Sequence, residues 1–160
     1  MNKDKVITLE KILSNIDRKL YGKKILIISA KYYEDIVNNL EKQALNYLKK
    51  FNDVNVNLFT ISGAFEIPHI INRAQENFDG FIALGCIIRG ETYHFELIAT
   101  QVARKIMDLS VNIKKPIGFG IIACDNMDQA IARSNIDKKN KGEEAAKACY
   151  ELIPNKEKKV

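Results

Sequence analysis

Four compact runs of apolar residues recur along the chain and predict the strands of a sheet. Their sequences are KILIISA at 24–30, VNVNLFTIS from Val54, FDGFIALGCIIRG from Phe78 and KPIGFGIIAC from Lys115. Each run is short, rich in apolar residues and bounded by polar ones, which is typical of a buried strand. Between the runs, apolar residues recur at spacings of three and four, and this period predicts amphipathic helices.

Helical patterns lie between and after the predicted strands. The apolar face of the first helix is made of Ile36, Leu40, Ala44, Tyr47, Leu48 and Phe51. The apolar face of the second helix is made of Phe95, Ile98, Val102, Ile106 and Leu109. Shorter helices are predicted over 126–134 and 142–153, the latter ended by Pro154. Upstream of the first strand, a helix is predicted over 6–20 from the apolar residues Val6, Leu9, Leu13, Ile16 and Leu20.

The alternation of strands with helices predicts a three-layer α/β/α sandwich around a four-stranded parallel sheet. Strands that are apolar on both faces need a helix layer on each side, and right-handed crossovers supply it. The whole chain, 1–160, is expected to form one domain, with an N-terminal segment at 1–23 and a frayed, lysine-rich tail at 155–160.

The positive charge of the chain does not indicate a nucleic-acid-binding protein. The formal net charge is +5, but the excess lies in residues 1–24 and 137–160, while the middle of the chain is close to neutral. Only five of the 25 basic residues are arginine, and no aromatic residues alternate with basic ones to form a stacking platform for bases. We expect solvated ends and no nucleic-acid partner.

The cysteines and the hydropathy pattern predict a cytoplasmic protein without a metal site. Cys86, Cys124 and Cys149 are an odd number without CxxC spacing, and only two histidines accompany them. Neither a disulfide framework nor a zinc site is therefore expected. Charged residues interrupt the N-terminal stretch, so it lacks the uninterrupted apolar core of a signal peptide, and no apolar run approaches the roughly 18 residues of a membrane span.

Ligands of a parallel sheet bind at the carboxyl ends of its strands, and these ends hold glycine, aromatic and ionisable residues. They are the stretches 29–33, 62–68, 85–94 and 119–126. In GCIIRGETYHFE, a glycine-flanked turn leads into a predicted helix with Thr92 as its N-cap. Free N–H groups near Glu91 and Thr92 predict an anion site, and His94 in the first turn is a candidate general acid or base. An ordinary capped helix start with a hydrogen-bonded histidine fits the same spacing.

Other strand ends offer ring faces and a further cation. SGAFEIP presents Phe65 as a stacking face and Glu66 as a hydrogen-bond acceptor, which suits a planar polar ligand. The alternative is a plain turn with Phe65 in the core and Glu66 facing the helix dipole. Tyr32 and Tyr33 offer further rings, although paired tyrosines commonly pack over a sheet edge. Arg133 ends a short predicted helix, where it can bind a phosphate or the last helix carbonyls.

Four of these motifs, in this order and spacing, resemble the lumazine synthase family. They are SGAFEIP, GCIIRGETYHFE, PIGFGII and QAIARS followed by NKG at 140–142, and the resemblance extends over 25–152. It implies a flavodoxin-like topology and an enzyme of riboflavin biosynthesis. The implied reaction condenses 5-amino-6-(D-ribitylamino)uracil with 3,4-dihydroxy-2-butanone 4-phosphate to 6,7-dimethyl-8-ribityllumazine, phosphate and water. No metal or redox cofactor is implied.

The resemblance also implies roles for individual residues. The ribitylaminouracil site matches Tyr32, Ala64, Phe65, Glu66, Cys86, Ile87, Ile88 and, from a neighbouring subunit, Phe119. The butanone phosphate site matches Glu91, Thr92 and, from the same neighbour, Arg133, with Lys141 close by. His94 matches the proton-transfer residue. The implied assembly is a homo-oligomer, at least a pentamer, with active sites between subunits, and riboflavin synthase is a further candidate partner.

A non-catalytic flavin- or lumazine-binding or shell protein of the same fold is the strongest alternative. The presence of both His94 and Arg133 argues against it, because a pure binder needs neither the base nor the phosphate arginine. A flavodoxin-type carrier needs a phosphate loop rich in serine, threonine and glycine after its first strand, and SAKYYED is not one. A phosphorelay receiver needs an acidic residue at the end of its central strand, which here ends in ALG.

One stretch departs from the usual sequence of the family. RSNIDKKNKG at 133–142 has Asn135, Ile136 and Asp137 where the family usually has glycine, threonine and lysine, at the same length. Because this loop lies near the phosphate and a subunit contact in the family, the change bears on substrate affinity and on assembly size. The helical pattern over 6–20 disfavours a closed shell.

Overall fold

A parallel sheet of four strands runs through the middle of the computed structural model, which describes residues 7–15, 22–138 and 140–154. The strands are β1 (Lys23–Ala30), β2 (Val54–Ile61), β3 (Gly80–Ile88) and β4 (Ile117–Cys124), in the order β2-β1-β3-β4. The helices are α1 (Leu9–Ser14), α2 (Glu34–Leu48), α3 (Ile67–Ala74), α4 (His94–Ile113), α5 (Met127–Ser134) and α6 (Lys141–Leu152). A short 3-10 helix at Ala64–Glu66 precedes α3.

Helices cover both faces of the sheet, which confirms the predicted three-layer sandwich and its flavodoxin-like strand order. Alternate residues of β1 point to opposite faces, with Leu26 and Ile28 in one apolar cluster and Ile25 and Ile27 in the other. The helices α1, α3 and α4 close the first cluster, and α2, α5 and α6 close the second. Because β1 and β3 have strands on both sides and helices on both faces, they need no polar face.

The second strand differs from the prediction of four buried strands. Among the described strands β2 pairs with β1 alone, so it lies at an edge of the sheet. Its side chains are half-buried or exposed, and Leu58 is 40% exposed. The polar positions Asn55, Asn57 and Thr60 suit an edge strand that the helices cover only in part.

The helices α2, α4, α5 and α6 match their predicted patterns, with shifts at the ends. The ring of Phe51 lies beyond the end of α2 and stacks on Tyr150 of α6, with centroids 3.9 Å apart. The helix predicted over 6–20 is shorter than expected, because α1 covers Leu9–Ser14 between the N-cap Thr8 and the C-cap Asn15. The other predicted positions Val6, Ile16 and Leu20, and the tail at 155–160, lie outside the described residues. None of the described helices has the length and apolar content required to cross a bilayer.

The long helix α4 ends in a left-handed residue. Lys114 follows the helix with φ 54° and ψ 37°, a conformation that glycine adopts most easily. It is the only non-glycine residue with positive φ in the described part of the chain. Pro116 follows two positions later and cannot continue the helix.

We expect Lys114→Gly to raise the free energy of unfolding by about 0.5–1 kcal/mol, because glycine removes the steric cost of a left-handed backbone. Urea unfolding followed by circular dichroism measures this change. Lys105→Gly, at an exposed position inside α4, is the matched control and should lower the same free energy by about 1 kcal/mol. Equal losses for the two variants would contradict a left-handed Lys114.

Candidate active site

A cavity of about 570 Å³ opens at the carboxyl edge of the sheet, beside the residues that follow β1, β2 and β3. Parallel pairing puts these strand ends side by side. Its lining includes many of the predicted site residues, namely Tyr32, Ala64, Phe65, Glu66, Cys86, Ile87, Ile88, Thr92 and His94. The lining also contains Tyr33, predicted as a further ring face, and four residues without a predicted ligand role, namely Gly63, Gly90, Phe95 and Ile98.

Two aromatic rings stand exposed at this cavity. Tyr32 is 76% exposed, and its ring packs edge-on against Tyr33 with centroids 5.0 Å apart. Phe65 is 64% exposed on the turn after β2, which excludes the interpretation of Phe65 as a core residue. Both rings therefore offer a face on which a planar ligand can stack.

The side chain of Glu66 folds back over the turn after β2. A Cβ atom at Gly63 would lie 2.9 Å from Glu66 Oε2. The Glu66 residue is exposed and lines the cavity, so its carboxylate can accept hydrogen bonds from a ligand.

The apolar end of β3 contributes Cys86, Ile87 and Ile88 to the cavity. Cys86 is 5% exposed, and burial, with a smaller effect of Cys124, raises the pKa of its thiol to about 12. A thiol that stays protonated at neutral pH is a poor nucleophile. Cys86 therefore offers apolar surface and backbone groups to a ligand, not covalent chemistry.

The loop from β3 into α4 carries the predicted anion site and the candidate base. The N-cap of α4 is Tyr93 and the helix begins at His94, so the prediction of Thr92 as the N-cap is wrong by one position. The Thr92 hydroxyl instead accepts a hydrogen bond from His94 N at 3.4 Å. Glu91, Thr92 and His94 are all exposed, so their polar groups can reach a ligand.

The side chain of Arg89, which no sequence pattern singled out, holds this loop against its neighbours. Its Nε donates to Asp125 Oδ1 at 2.9 Å, and its Nη1 donates to Glu96 in the first turn of α4. The guanidinium also lies 4.4 Å from the ring centroid of Phe95. We call these contacts the Arg89 clamp; they join the end of β3 to the end of β4 and to the start of α4.

Only one contact of the Arg89 clamp could have been predicted from the sequence. An arginine directly after a buried strand, with Glu96 seven positions later, is a local signal that could have been noticed. Asp125 lies 36 positions away from Arg89. The pairing of β3 with β4, in which Ile88 lies opposite Cys124, brings the two residues to the same edge.

Four of the predicted site residues are not in the lining of the cavity: Glu91, which lies between the lining residues Gly90 and Thr92, and three residues elsewhere on the chain. Arg133 and Lys141 line a separate depression of about 440 Å³, together with Gln129, Ala132 and Glu144. Lys141 Nζ bonds Glu144 Oε2 at 2.7 Å. Phe119 lies in the edge strand β4 and is 46% exposed. Among the described residues, the lining of the main cavity contains neither lysine nor arginine, so within one chain the two halves of the predicted site are apart.

The chain is similar to proteins of one known family over most of its length. The family model described as 6,7-dimethyl-8-ribityllumazine synthase matches residues 22–157. Proteins of that name from Bartonella tribocorum, Methylorubrum populi and Desulfovibrio desulfuricans are 44%, 38% and 36% identical to this chain over the matched residues. The matches cover 81%, 87% and 91% of this chain and 87%, 86% and 95% of those proteins.

The Arg89 clamp predicts a change in the titration of Glu96. A hydrogen bond from its own backbone N–H, and then the Arg89 side chain, lower the pKa of Glu96. In Arg89→Gln we expect this pKa to rise toward its ordinary value, as measured by carbon NMR of the carboxyl group. Arg104→Gln, which removes an arginine paired with Asp108 on the same helix, should leave Glu96 unchanged.

The lowered pKa of Glu96 also predicts how the stability of the folded protein changes with pH. A carboxylate with a lowered pKa stabilises the folded state at neutral pH, and this contribution is lost as the pH falls through the lowered pKa. The stability difference between wild type and Arg89→Gln should therefore shrink in acid. A Glu96 titration that is identical in both proteins would contradict the Arg89 clamp.

Proposed function

The chain belongs to the 6,7-dimethyl-8-ribityllumazine synthase family, and we propose that it is the enzyme that condenses 5-amino-6-(D-ribitylamino)uracil with 3,4-dihydroxy-2-butanone 4-phosphate. The products are 6,7-dimethyl-8-ribityllumazine, phosphate and water. The observation that supports this proposal most is the cavity at the carboxyl edge of the sheet, which holds exposed aromatic rings, a carboxylate and a histidine. The proposal needs no metal or redox cofactor.

In this proposal the cavity binds the ribitylaminouracil. Tyr32 stacks on the pyrimidine ring, while Ala64, Phe65 and Glu66 line the ring and ribityl positions. Residues 86–88 contact the ring mainly through their backbone. The protonated, buried thiol of Cys86 supports such a passive role, and the exposure of the Tyr32 and Phe65 rings supports stacking.

The phosphate of the second substrate binds at the start of α4 in this proposal. The backbone near Glu91, the Thr92 hydroxyl and the positive end of the helix dipole are suitable groups for an anion. His94, the first residue of α4, serves as the general acid and base. Its position beside Thr92 in the lining of the cavity supports this role.

The chemistry explains why one base suffices and why it is not the whole mechanism. Attack of the amine on the ketone, dehydration to an imine, elimination of phosphate and ring closure all need proton transfers, and a single imidazole can assist several of them. General acid–base catalysis contributes about 10²- to 10⁴-fold in rate. The larger part of the acceleration must come from holding two substrates in register.

The remaining residues come, in this proposal, from a neighbouring copy in a pentameric ring. A phosphate dianion is bound best by a guanidinium, yet no lysine or arginine of the described part of the chain lines the cavity. Arg133 and Lys141 share a depression elsewhere on the chain, and Phe119 is exposed at the sheet edge. A second copy could bring all three residues to the cavity of the first.

We place the reaction in the cytoplasm, with riboflavin synthase as the enzyme that takes up the product. The free, buried thiols of Cys86, Cys124 and Cys149 support a reducing compartment. The main alternative remains a non-catalytic protein of the same fold that captures lumazine or flavin, or serves as a shell.

The first test mixes the protein with both substrates and follows lumazine fluorescence against the uncatalysed reaction. We expect Arg133→Ala to raise the KM for the butanone phosphate, because the guanidinium contacts a group present from binding onward. We expect His94→Ala to lower kcat by about 10²-fold without abolishing activity. Arg104→Ala, which removes an exposed arginine of α4, is the control and should match wild type.

One result of this assay would refute the proposed enzymatic activity. If wild type gives no acceleration while it binds the product or a flavin tightly, the protein is the non-catalytic binder or shell.

A second test asks whether His94 and Arg133 act across two copies. Co-expressed His94→Ala and Arg133→Ala chains assemble at random, so about a quarter of the interfaces combine an intact His94 with an intact Arg133. At low butanone phosphate we therefore expect about a quarter of the wild-type rate. Differently tagged chains allow the hybrids to be purified before the assay. A rate equal to the mean of the two parents would mean that both residues act within one chain.

A further inference from the structure

A single buried amide joins the two helices that carry Arg133 and Lys141. Asn140 is 1% exposed. Its Nδ2 donates to Ser134 O at 2.8 Å, where α5 ends, and its Oδ1 accepts from Gly142 N at 2.8 Å, where α6 begins. Breaking either bond would leave a buried polar group unpaired, so the amide holds both helix ends firmly.

Arg133 and Lys141 are immediate sequence neighbours of the bonded positions. Arg133 precedes Ser134, and Lys141 lies between Asn140 and Gly142. Both cations line the same depression. Their separation and direction therefore depend on how the end of α5 lies against the start of α6, which is the junction that Asn140 bridges.

The start of α6 is held in place by its close packing on α2. Gly142 packs so closely on α2 that a Cβ atom there would lie 2.0 Å from Leu40 O. Lys141 is bonded within α6 to Glu144. Because α6 is seated on α2 in this way, Asn140 transmits a fixed position to the end of α5 and so to Arg133.

Apart from a long hydrogen bond that Asn140 Nδ2 donates to Asn135 O at 3.5 Å, the loop between α5 and α6 makes contacts at the surface. In its described part, Asp137 N donates to Asn135 Oδ1 at 2.8 Å and Gln43 Nε2 donates to Ile136 O at 3.4 Å, both at the exposed surface. Two of these loop positions, Asn135 and Ile136, carry neutral residues that depart from the usual glycine and threonine. Since Asn140 closes the junction at the base of the loop, these side chains can change without moving the cations.

We propose that Asn140 is a positioning residue that sets the affinity for the substrate phosphate by holding Arg133 and Lys141 in register. The loop side chains of Asn135 and Ile136 have little influence on that affinity. This inference rests on the proposed function, in which the two cations bind the phosphate.

The geometry requires a side chain that both donates and accepts. The bond to Ser134 O needs a donor, and the bond from Gly142 N needs an acceptor. Asn140→Asp keeps the acceptor and loses the donor, and it adds a charge. Asn140→Ser is neutral and can still cap the helix, but its shorter side chain does not span both partners. The two variants therefore separate loss of the bridge from the added charge.

The test compares the steady-state kinetics of Asn140→Ser and Asn140→Asp with those of the loop variant Asn135→Gly, Ile136→Thr. We expect both Asn140 variants to raise the KM for the butanone phosphate by about tenfold, while kcat and the KM for the ribitylaminouracil change by less than about twofold. The inhibition constant of inorganic phosphate should rise in parallel. The loop variant should leave all these constants within about twofold of wild type.

Two controls separate positioning from loss of stability and from failure of the proposed function. Phe78→Leu changes a buried ring just before the start of β3, away from the cavity at the end of that strand. It should lower the melting temperature without a selective effect on KM. If the Asn140 variants behave like Phe78→Leu, or if the loop variant raises the phosphate KM as much as they do, the inference is overturned. An unchanged KM in Arg133→Ala would instead overturn the phosphate role of the cations itself.

Discussion

Parallel pairing of β1, β2 and β3 is the constraint on which the candidate site depends. Parallel strands run in one direction, so the residues that follow them collect at one edge of the sheet. In this way Tyr32, Phe65 and His94, which are far apart in the chain, come to line one cavity. The same pairing requires crossover helices that bury the apolar faces. The helix α4 is one of these, so an element that stabilises the sheet also has its N-terminus at the cavity.

The proposed function requires two kinds of binding surface with opposite chemistry. A planar ring stacks on aromatic faces, which Tyr32 and Phe65 offer, whereas a phosphate dianion is bound by cations, which Arg133 and Lys141 offer. The chain keeps these groups in separate depressions. Under the proposed function the site is complete only between copies, so activity depends on association and therefore on protein concentration.

The side chains of Arg89 and Asn140 hold different parts of the candidate site, and the exposure of each side chain determines how strongly it acts. Arg89 is about half exposed, so its ion pairs with Asp125 and Glu96 are screened by solvent and act together as an orienting network. Asn140 is buried, and leaving one of its partners unpaired costs about 1–3 kcal/mol. We therefore expect the loop after β3 to adjust to a ligand more readily than the junction of α5 and α6.

The sequence by itself determined the strands, most helix positions and the polar character of the strand ends. Apolar runs, helical periods and caps act over a few residues, so β1, β3, α2 and α4 could be predicted, and the rule for parallel sheets pointed to Glu66 and His94. The edge position of β2, the contact of Arg89 with Asp125 and the bridge made by Asn140 were decided only by the tertiary structure. These features depend on strand order and on the packing of helices, which bring together backbone and side-chain groups that no local pattern relates.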